Sequence, residues 1–416
     1  MIKIEKLIPG GQALATLENG KKAFLWGALP GEIVEEYQIT KTKSRYLEAV
    51  ALGVSAPSPH RIPPKDDCYL STSPWQIMDY MYELETKQSL VVELFREHQI
   101  NISSPPIFTD NNMYYYRNKM EYSLYWDNDD SIIKLAFHQR GSHRKVPIMS
   151  SSIERPEIFQ RAQETIDTLN ANKEEARRYQ SLLLRCNQDG EVSGGLYENN
   201  RPHPKFPNLT DVIMGNKYSY SPNGFFQINL PVYEMALSEI KSHISTAAVL
   251  DLYAGVGSIG LSVAPGSNLT LVEVDKYAFS EMVKNIISSG AQESRRMSNI
   301  IDHPYLKEQY LNSGSARVQN GNTLAILDKS ENATNYIESS QTVILDPPRS
   351  GCDQKLITKL LETRPAKIIY LSCNPATQAR DVKLLLSGYN IDTVKSYNFF
   401  PRTPHIENLV VISARS

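Results

Sequence analysis

Hydrophobic and polar positions change their period three times along the chain. Over residues 1–62, short alternating runs at 2–7, 22–26, 33–39 and 46–54 are separated by Gly10-Gly11, Asn19-Gly20 and Pro30-Gly31. Alternation punctuated by turn residues predicts strands, and five or so of them hide their edges by closing into a small barrel. Ala56-Pro-Ser-Pro-His-Arg-Ile-Pro-Pro64 then reads as a linker. Apolar residues at Ile77, Met81, Leu84, Val91 and Phe95 recur at a helical spacing. Residues 114–122 and 132–138 alternate again around Asp127-Asn128-Asp129-Asp130, which predicts a hairpin. Helical and strand signals alternate over 155–215. From Ala247 the pattern becomes regular: strand 247–253, a glycine turn, a helix, strand 269–274 and helix 276–289. Strands near 341–346, 367–373, 389–396 and 408–414 follow, with helices between most of them. This alternation builds an α/β, doubly wound, mostly parallel sheet. The polar stretch 290–316, with Arg295-Arg296 and a short helical piece near 305–311, is longer than loops of such folds and reads as an insertion. Three units are expected: a β-barrel over 1–62, an α+β unit over 63–215, and the α/β unit over 216–416.

A chain of 416 residues is long enough for two or three such units. Its 41% hydrophobic and 22% charged content are those of a soluble globular protein. The formal net charge of −2 excludes a global basic field, so any contact with nucleic acid must come from local patches. Lys41, Lys43 and Arg45 beside Tyr46 form one such patch; Arg117, Lys119 and Arg140, near Tyr114-Tyr115-Tyr116, form another. Both suit phosphate contact and base stacking. Each reads equally well as a solvated strand edge or as cross-strand pairing, for example with Glu121. Cys68, Cys186, Cys352 and Cys373 show no disulfide-scaffold spacing, which points to reduced thiols in the cytoplasm. The N-terminus has no signal-peptide core and no run is long enough to span a bilayer, so no membrane partner is expected.

The candidate chemistry lies in the last unit. Asp251-Leu-Tyr-Ala-Gly-Val-Gly257-Ser-Ile-Gly260 places glycines on a strand-to-helix turn, where backbone passes close to a ligand. Glu273, ending the next strand, lies where a carboxylate accepts both ribose hydroxyls of a nucleoside cofactor, and Asn322 offers an amide for an adenine edge. The glycine spacing also matches a dinucleotide site, so it does not choose the cofactor. Asp346-Pro347-Pro348-Arg349 ends a buried strand in a stiff turn with its carboxylate facing the ligand side. Cys373, in Leu371-Ser-Cys-Asn-Pro375, ends another, where α/β folds place their chemistry. Cys352 is the rival nucleophile but sits in a helix lead-in, and Cys186 in an apolar run; both read as packing.

Four ordered motifs carry a family resemblance: Asp251-Leu-Tyr-Ala-Gly-Val-Gly257, Ile344-Leu-Asp-Pro-Pro-Arg-Ser-Gly351, Leu371-Ser-Cys-Asn-Pro-Ala-Thr377 and Phe400-Pro-Arg-Thr-Pro-His-Ile-Glu407. Together they resemble the S-adenosylmethionine-dependent RNA uracil-5-methyltransferases. The N-terminal module resembles a TRAM domain; Tyr116-Arg-Asn-Lys119 and Phe137-His-Gln-Arg-Gly-Ser142 resemble that family's central RNA-binding domain. The resemblance implies S-adenosylmethionine as cofactor and a thiolate, Cys373, that adds to carbon 6 of uracil, with Glu407 removing the carbon 5 proton. It places Gln227, Tyr253, Ser258, Glu273, Asn322 and Asp346 at cofactor-contacting positions. It implies RNA as partner, 23S ribosomal RNA ahead of the transfer RNA T-loop, a flipped target base, and a monomer. Many relatives hold an iron–sulfur cluster with four cysteines; here Cys68 stands alone in that region, so no cluster and no zinc are expected. A non-catalytic RNA-binding protein needs neither Cys373 nor Glu407. A nicotinamide dehydrogenase is disfavoured by Asp346-Pro-Pro-Arg349.

Overall fold

A computed structural model describes residues 1–141, 144–149, 151–289 and 316–415. The expected insertion over 290–316 therefore lies, but for its last residue, outside the described residues.

The N-terminal strands form a six-stranded sheet. The run expected as one strand over 2–7 is two, Ile2–Lys3 and Lys6–Leu7, and they pair with opposite ends of the sheet: Ile2 with Val34, Leu7 with Ala13. One segment thus closes the barrel. The strand Ala13–Thr16 escapes the periodicity because its inward residues, Ala13 and Ala15, are too small to mark a face. The expected linker is pinned rather than loose. The Arg61 guanidinium donates to both oxygens of the buried Glu32 carboxylate (2.5 and 2.6 Å) and to Gly27 O (2.9 Å).

Five antiparallel strands form the central sheet, in the order Lys145–Pro147, Ile132–His138, Lys119–Asp127, Tyr179–Cys186, Val192–Glu198. The hairpin begins at Lys119 rather than Tyr114, since Tyr115 has φ 58° and its N–H bonds to Ser152 O instead of a ladder partner.

The third sheet has nine strands. Thr323–Leu327, Asn268–Glu273, Ala248–Leu252, Thr342–Leu345 and Lys367–Ser372 run parallel; Glu407–Ala414 extends the sheet antiparallel to them, and Tyr389–Tyr397, antiparallel to Glu407–Ala414, returns to the first direction. Ala316–Asn320 adds an antiparallel edge beside Thr323–Leu327. Ile344, Ile369 and Val411 are buried toward one face, while Val343, Ile368 and Ile412 are buried toward the other. Both faces are covered, as a doubly wound sheet requires. Residues expected within 63–215 take part: Ile107–Phe108 is the ninth strand, and Val91 and Phe95 of helix Tyr80–Glu97 join the core beside Leu356 and Val382. Strand order reverses at Ala248–Leu252, so the turn that follows it sits at the switch point where open α/β sheets bind ligands. Among the described residues, no helix is long and apolar enough to cross a membrane.

Candidate active site

Cys373 follows the last residue of strand Lys367–Ser372, and Asn374 caps the helix Pro375–Leu385 through Oδ1 to Ala376 N (3.3 Å). Ser372 pairs with Asn408 across the antiparallel ladder, which sets Cys373 against Glu407 on the neighbouring strand. Three side-chain bonds lock that register. Gln378 Nε2 donates to Tyr370 O (2.8 Å) and Asn408 O (2.9 Å), and Asn408 Nδ2 returns a bond to Gln378 Oε1 (2.7 Å). The Asp346-Pro-Pro-Arg349 loop is fastened to the same helix. Asn374 Nδ2 and Thr377 Oγ1 donate to Arg349 O (2.8 and 3.2 Å), and Asp381 accepts from Cys352 N (2.8 Å). Cys373, Glu407, Asp346 and Arg349 therefore converge.

Their electrostatics are tightly linked. Burial, then the charges of Glu407 and Asp346, push the Cys373 thiol up to about 11; Arg349 opposes the rise by charge and by a side-chain hydrogen bond. Burial pushes Asp346 up to about 7. Glu407 is raised well above the carboxylate range, first by burial and then by Asp346, with Arg349 working against it. Two carboxyls and a thiol in one low-dielectric cluster cannot all ionise, so the site stores protons near neutrality. Cys373 is half-buried, whereas Cys68, Cys186 and Cys352 are buried.

The loop that delivers Glu407 is held by a buried ionic cluster. Lys87 Nζ donates to Glu83 Oε1 (2.8 Å), Asn398 Oδ1 (2.6 Å) and Phe400 O (3.1 Å), and Glu83 accepts Arg402 N (3.0 and 3.1 Å). Trp75 Nε1 reaches back to Gly11 O (3.1 Å), so the barrel, the central unit and the loop over 398–406 meet here.

A neighbouring cleft is lined by Phe225, Gln227, Tyr253, Gly255, Ser258 and Asp346. It fits a nucleoside cofactor. Gly255 has φ 57° and an added Cβ would meet nothing within 4 Å, so backbone borders open space. At Gly260 a Cβ would come within 2.5 Å of Leu271, which forces glycine where the helix crosses the strand. Ser258 Oγ bonds with Tyr233 OH (2.9 Å). Glu273 accepts Gly255 N on Oε2 (2.7 Å), and Val274 N and Asp275 N on Oε1 (2.8 and 2.7 Å). With about four acceptor positions on a carboxylate, Oε2 keeps room for one ribose hydroxyl, not the two expected.

Asn322 is not in this cleft. It precedes Thr323, which pairs with Leu269 at the amino end of the parallel strands, and its carbonyl accepts Leu269 N (3.0 Å). Four residues of strand, roughly 13 Å, separate it from Glu273. The antiparallel strand Ala316–Asn320 and its turn put it there. The residue at the cofactor end is Asp328, whose N–H bonds to Glu273 O (3.0 Å); a carboxylate directly after the apolar run 324–327 was the signal available.

The cationic candidates divide. Lys41, Lys43 and Arg45 share one exposed hairpin tip, with Lys41 paired to Glu48 (2.8 Å). Arg140 lies over the Trp26 ring (4.3 Å) and donates to Leu70 O (2.7 Å). Arg117, Arg140 and Arg349 all lie near enough to His405 to add to the burial that pushes its ring down to about 4. Buried Lys87 adds to the same effect. Lys119 is turned instead onto Asn223 O and Gly224 O (both 3.1 Å). The region of Cys68 does not suit an iron–sulfur cluster. Its thiol is pushed up to about 12 by burial, then by Asp66, and Asp66 instead accepts bonds from Gln76 (2.8 Å) and Ser152 (2.7 Å). Among the described residues, no group of three or more His, Cys, Asp or Glu could hold a metal ion.

Residues 212–415 match the family described as tRNA (Uracil-5-)-methyltransferase, and residues 1–52 match the TRAM domain. An uncharacterized RNA methyltransferase of Bacillus anthracis is 24% identical over 473 residues, spanning 100% of this chain and 96% of that protein. Another, from Halalkalibacterium halodurans, is 26% identical, spanning 94% and 91%. The crystal structure of Pyrococcus abyssi tRNA (uracil-54, C5)-methyltransferase in complex with S-adenosyl-L-homocysteine shares the fold, with TM-score 0.72 and 22% identity over 99% of this chain and 100% of that one. On these matches the chain is an S-adenosylmethionine-dependent RNA methyltransferase with an N-terminal TRAM domain, and its residues 212–415 are of the RNA uracil-5-methyltransferase family.

Proposed function

We propose that the protein methylates carbon 5 of one uridine in RNA, 23S ribosomal RNA ahead of transfer RNA, through a transient bond between Cys373 Sγ and carbon 6, with Glu407 as the base. The observation that carries this reading is the placement of a half-exposed thiol against a buried carboxyl across two strands, both within electrostatic reach of Asp346, which lines the cleft. Bound S-adenosylmethionine supplies an electrophilic methyl group on a cationic sulfur. Carbon 5 of uracil is a poor nucleophile until a thiolate adds next to it. Cys373 bonds to carbon 6 as its proton passes to Asp346, which near neutrality is poised between its two states. The ring electrons shift toward the oxygen on carbon 4, and carbon 5 becomes nucleophilic. After methylation, Glu407 acts in its ionised form, its own proton having left to solvent: it takes the proton from carbon 5, the carbon 6–sulfur bond breaks, and the departing Cys373 sulfur recovers the proton held by Asp346. Gln227, Tyr253, Ser258, Glu273 and Asp346 hold the cofactor, joined by Asp328 in the place expected of Asn322.

Arg117, Arg140 and Arg349, whose charges all reach His405 two residues before Glu407, suit the phosphates around a flipped base, and the Lys41–Lys43–Arg45 tip offers a second contact on the barrel. Two such surfaces favour a large structured RNA, hence the ribosomal substrate. Likeness of fold to a transfer RNA (uracil-54) enzyme supports the second reading. The protein is read as a monomer working in the cytoplasm. Transfer of labelled methyl to separated ribosomal and transfer RNA, with Cys373→Ala beside wild type, tests this. Label on ribosomal RNA that vanishes in the variant supports it; label that persists in Cys373→Ala refutes the nucleophile, and label on transfer RNA alone refutes the substrate.

A further inference from the structure

Carbonyls of the loop over 221–229 are gripped by side chains of the central sheet. Asn118 Nδ2 donates to Gln227 O (3.0 Å), and Lys119 Nζ donates to Asn223 O and Gly224 O (3.1 Å each). Arg185 donates to Gly224 O (3.0 Å) and to Phe226 O. Lys119 and Arg185 are direct partners across neighbouring strands. Like charges in that relation repel, and here the carbonyl oxygens between them offset the repulsion. Arg185 is fully buried and lies against the Tyr220 and Phe226 rings (5.1 and 5.7 Å), which stack on each other at 3.9 Å.

The loop has few bonds of its own. Gly224 N reaches Ser221 O (3.1 Å), and the helix that follows starts at Asn229 without a side-chain cap bond. What the loop presents on its other side is Phe225, 73% exposed, and Gln227, both lining the cofactor cleft.

We infer that Lys119, with Asn118 and Arg185, is a positioning residue: it sets the 223–227 backbone so that Phe225 and Gln227 present the shape the cofactor requires. The central sheet then does more than touch RNA. It finishes the cleft of the neighbouring unit from behind. A lysine turned onto two carbonyls has committed two of its three donors to the protein, which draws it away from the phosphate-binding role its sequence context suggests. The inference rests on the reading of this cleft as the cofactor site.

The test compares full-length wild type with Lys119→Met and Lys119→Arg. S-adenosylhomocysteine affinity is measured by calorimetry without RNA, RNA affinity by filter binding across a salt series, and melting temperature beside both. The expected result is about tenfold weaker S-adenosylhomocysteine binding in Lys119→Met, largely recovered in Lys119→Arg, with the salt dependence of RNA binding unchanged. Unchanged S-adenosylhomocysteine affinity with a salt slope lower by about one would make Lys119 a phosphate contact and overturn the inference. Equal loss in both variants, tracking melting temperature, would reduce it to general stability and also overturn it. Lys119→Gln, which keeps an amide donor, serves if the methionine variant does not fold. Absence of methyl transfer by wild type would refute the proposed reaction but leave these affinities readable.

Discussion

Replacing Arg349 with methionine should slow chemistry at Cys373 without touching the sulfur itself. The thiol is pushed up to about 11, so at pH 8 roughly one molecule in a thousand carries the thiolate. Arg349 works against that rise, by charge and by a hydrogen bond. A charge-assisted hydrogen bond is worth about 1.5–3 kcal/mol when shielded, and Arg349 is exposed, so roughly 1 kcal/mol survives solvent screening. That corresponds to about fivefold less thiolate in Arg349→Met. Alkylation by iodoacetamide at pH 8, followed by intact mass, reads this directly. Cys68, Cys186 and Cys352 do not compete, because they are buried and Cys373 is not. Labelling of Cys373 should slow about fivefold. An unchanged or faster rate would refute the claim that Arg349 supports the thiolate.

Two further perturbations probe the frame around the site. Lys87→Met leaves the Glu83 carboxylate buried with less compensation, and should lower unfolding stability by about 3 kcal/mol in a urea titration; a change below about 1 kcal/mol would mean that the cluster does not clamp the loop over 398–406. Asp346 is raised from the ordinary carboxylate range to about 7, so the folded state holds its proton more tightly than the unfolded one. Its contribution is complete below pH ~4 and is lost as pH rises toward 7, so Asp346→Asn should be more stable than wild type at pH 8 by on the order of 1–3 kcal/mol, with the gap closing below pH 4. Melting curves across that range that stay parallel would contradict the shift.

The regular part of the fold was legible because buried parallel strands read as short apolar runs, and Leu250, Ile344 and Ile369 sit in runs that left no polar face to confuse. Cys373 and Asp346 were conspicuous for a related reason, since each directly follows an apolar run at the end of a strand. Glu407 begins its strand instead, and its role came from the family resemblance rather than from local pattern. Asn322 misled because a short antiparallel strand before it reverses the direction in which the next strand is entered. That reversal is a matter of pairing, which local pattern does not encode. Helix Tyr80–Glu97 shows its apolar stripe in sequence but not its partner, so its docking beneath the nine-stranded sheet could not be read. Lys119 was legible as a cation near tyrosines; its direction depends on Arg185 opposite it and on a loop about a hundred residues away.

The central claim is that Cys373 bonds to the pyrimidine and Glu407 releases it. Glu407→Gln, incubated with S-adenosylmethionine and the substrate RNA, should accumulate a protein–RNA species that survives denaturing electrophoresis, carries the labelled methyl group, and disappears when Cys373→Ala is added to the same chain. Normal turnover by Glu407→Gln with no trapped species, or a trapped species that persists without the sulfur of Cys373, would contradict it.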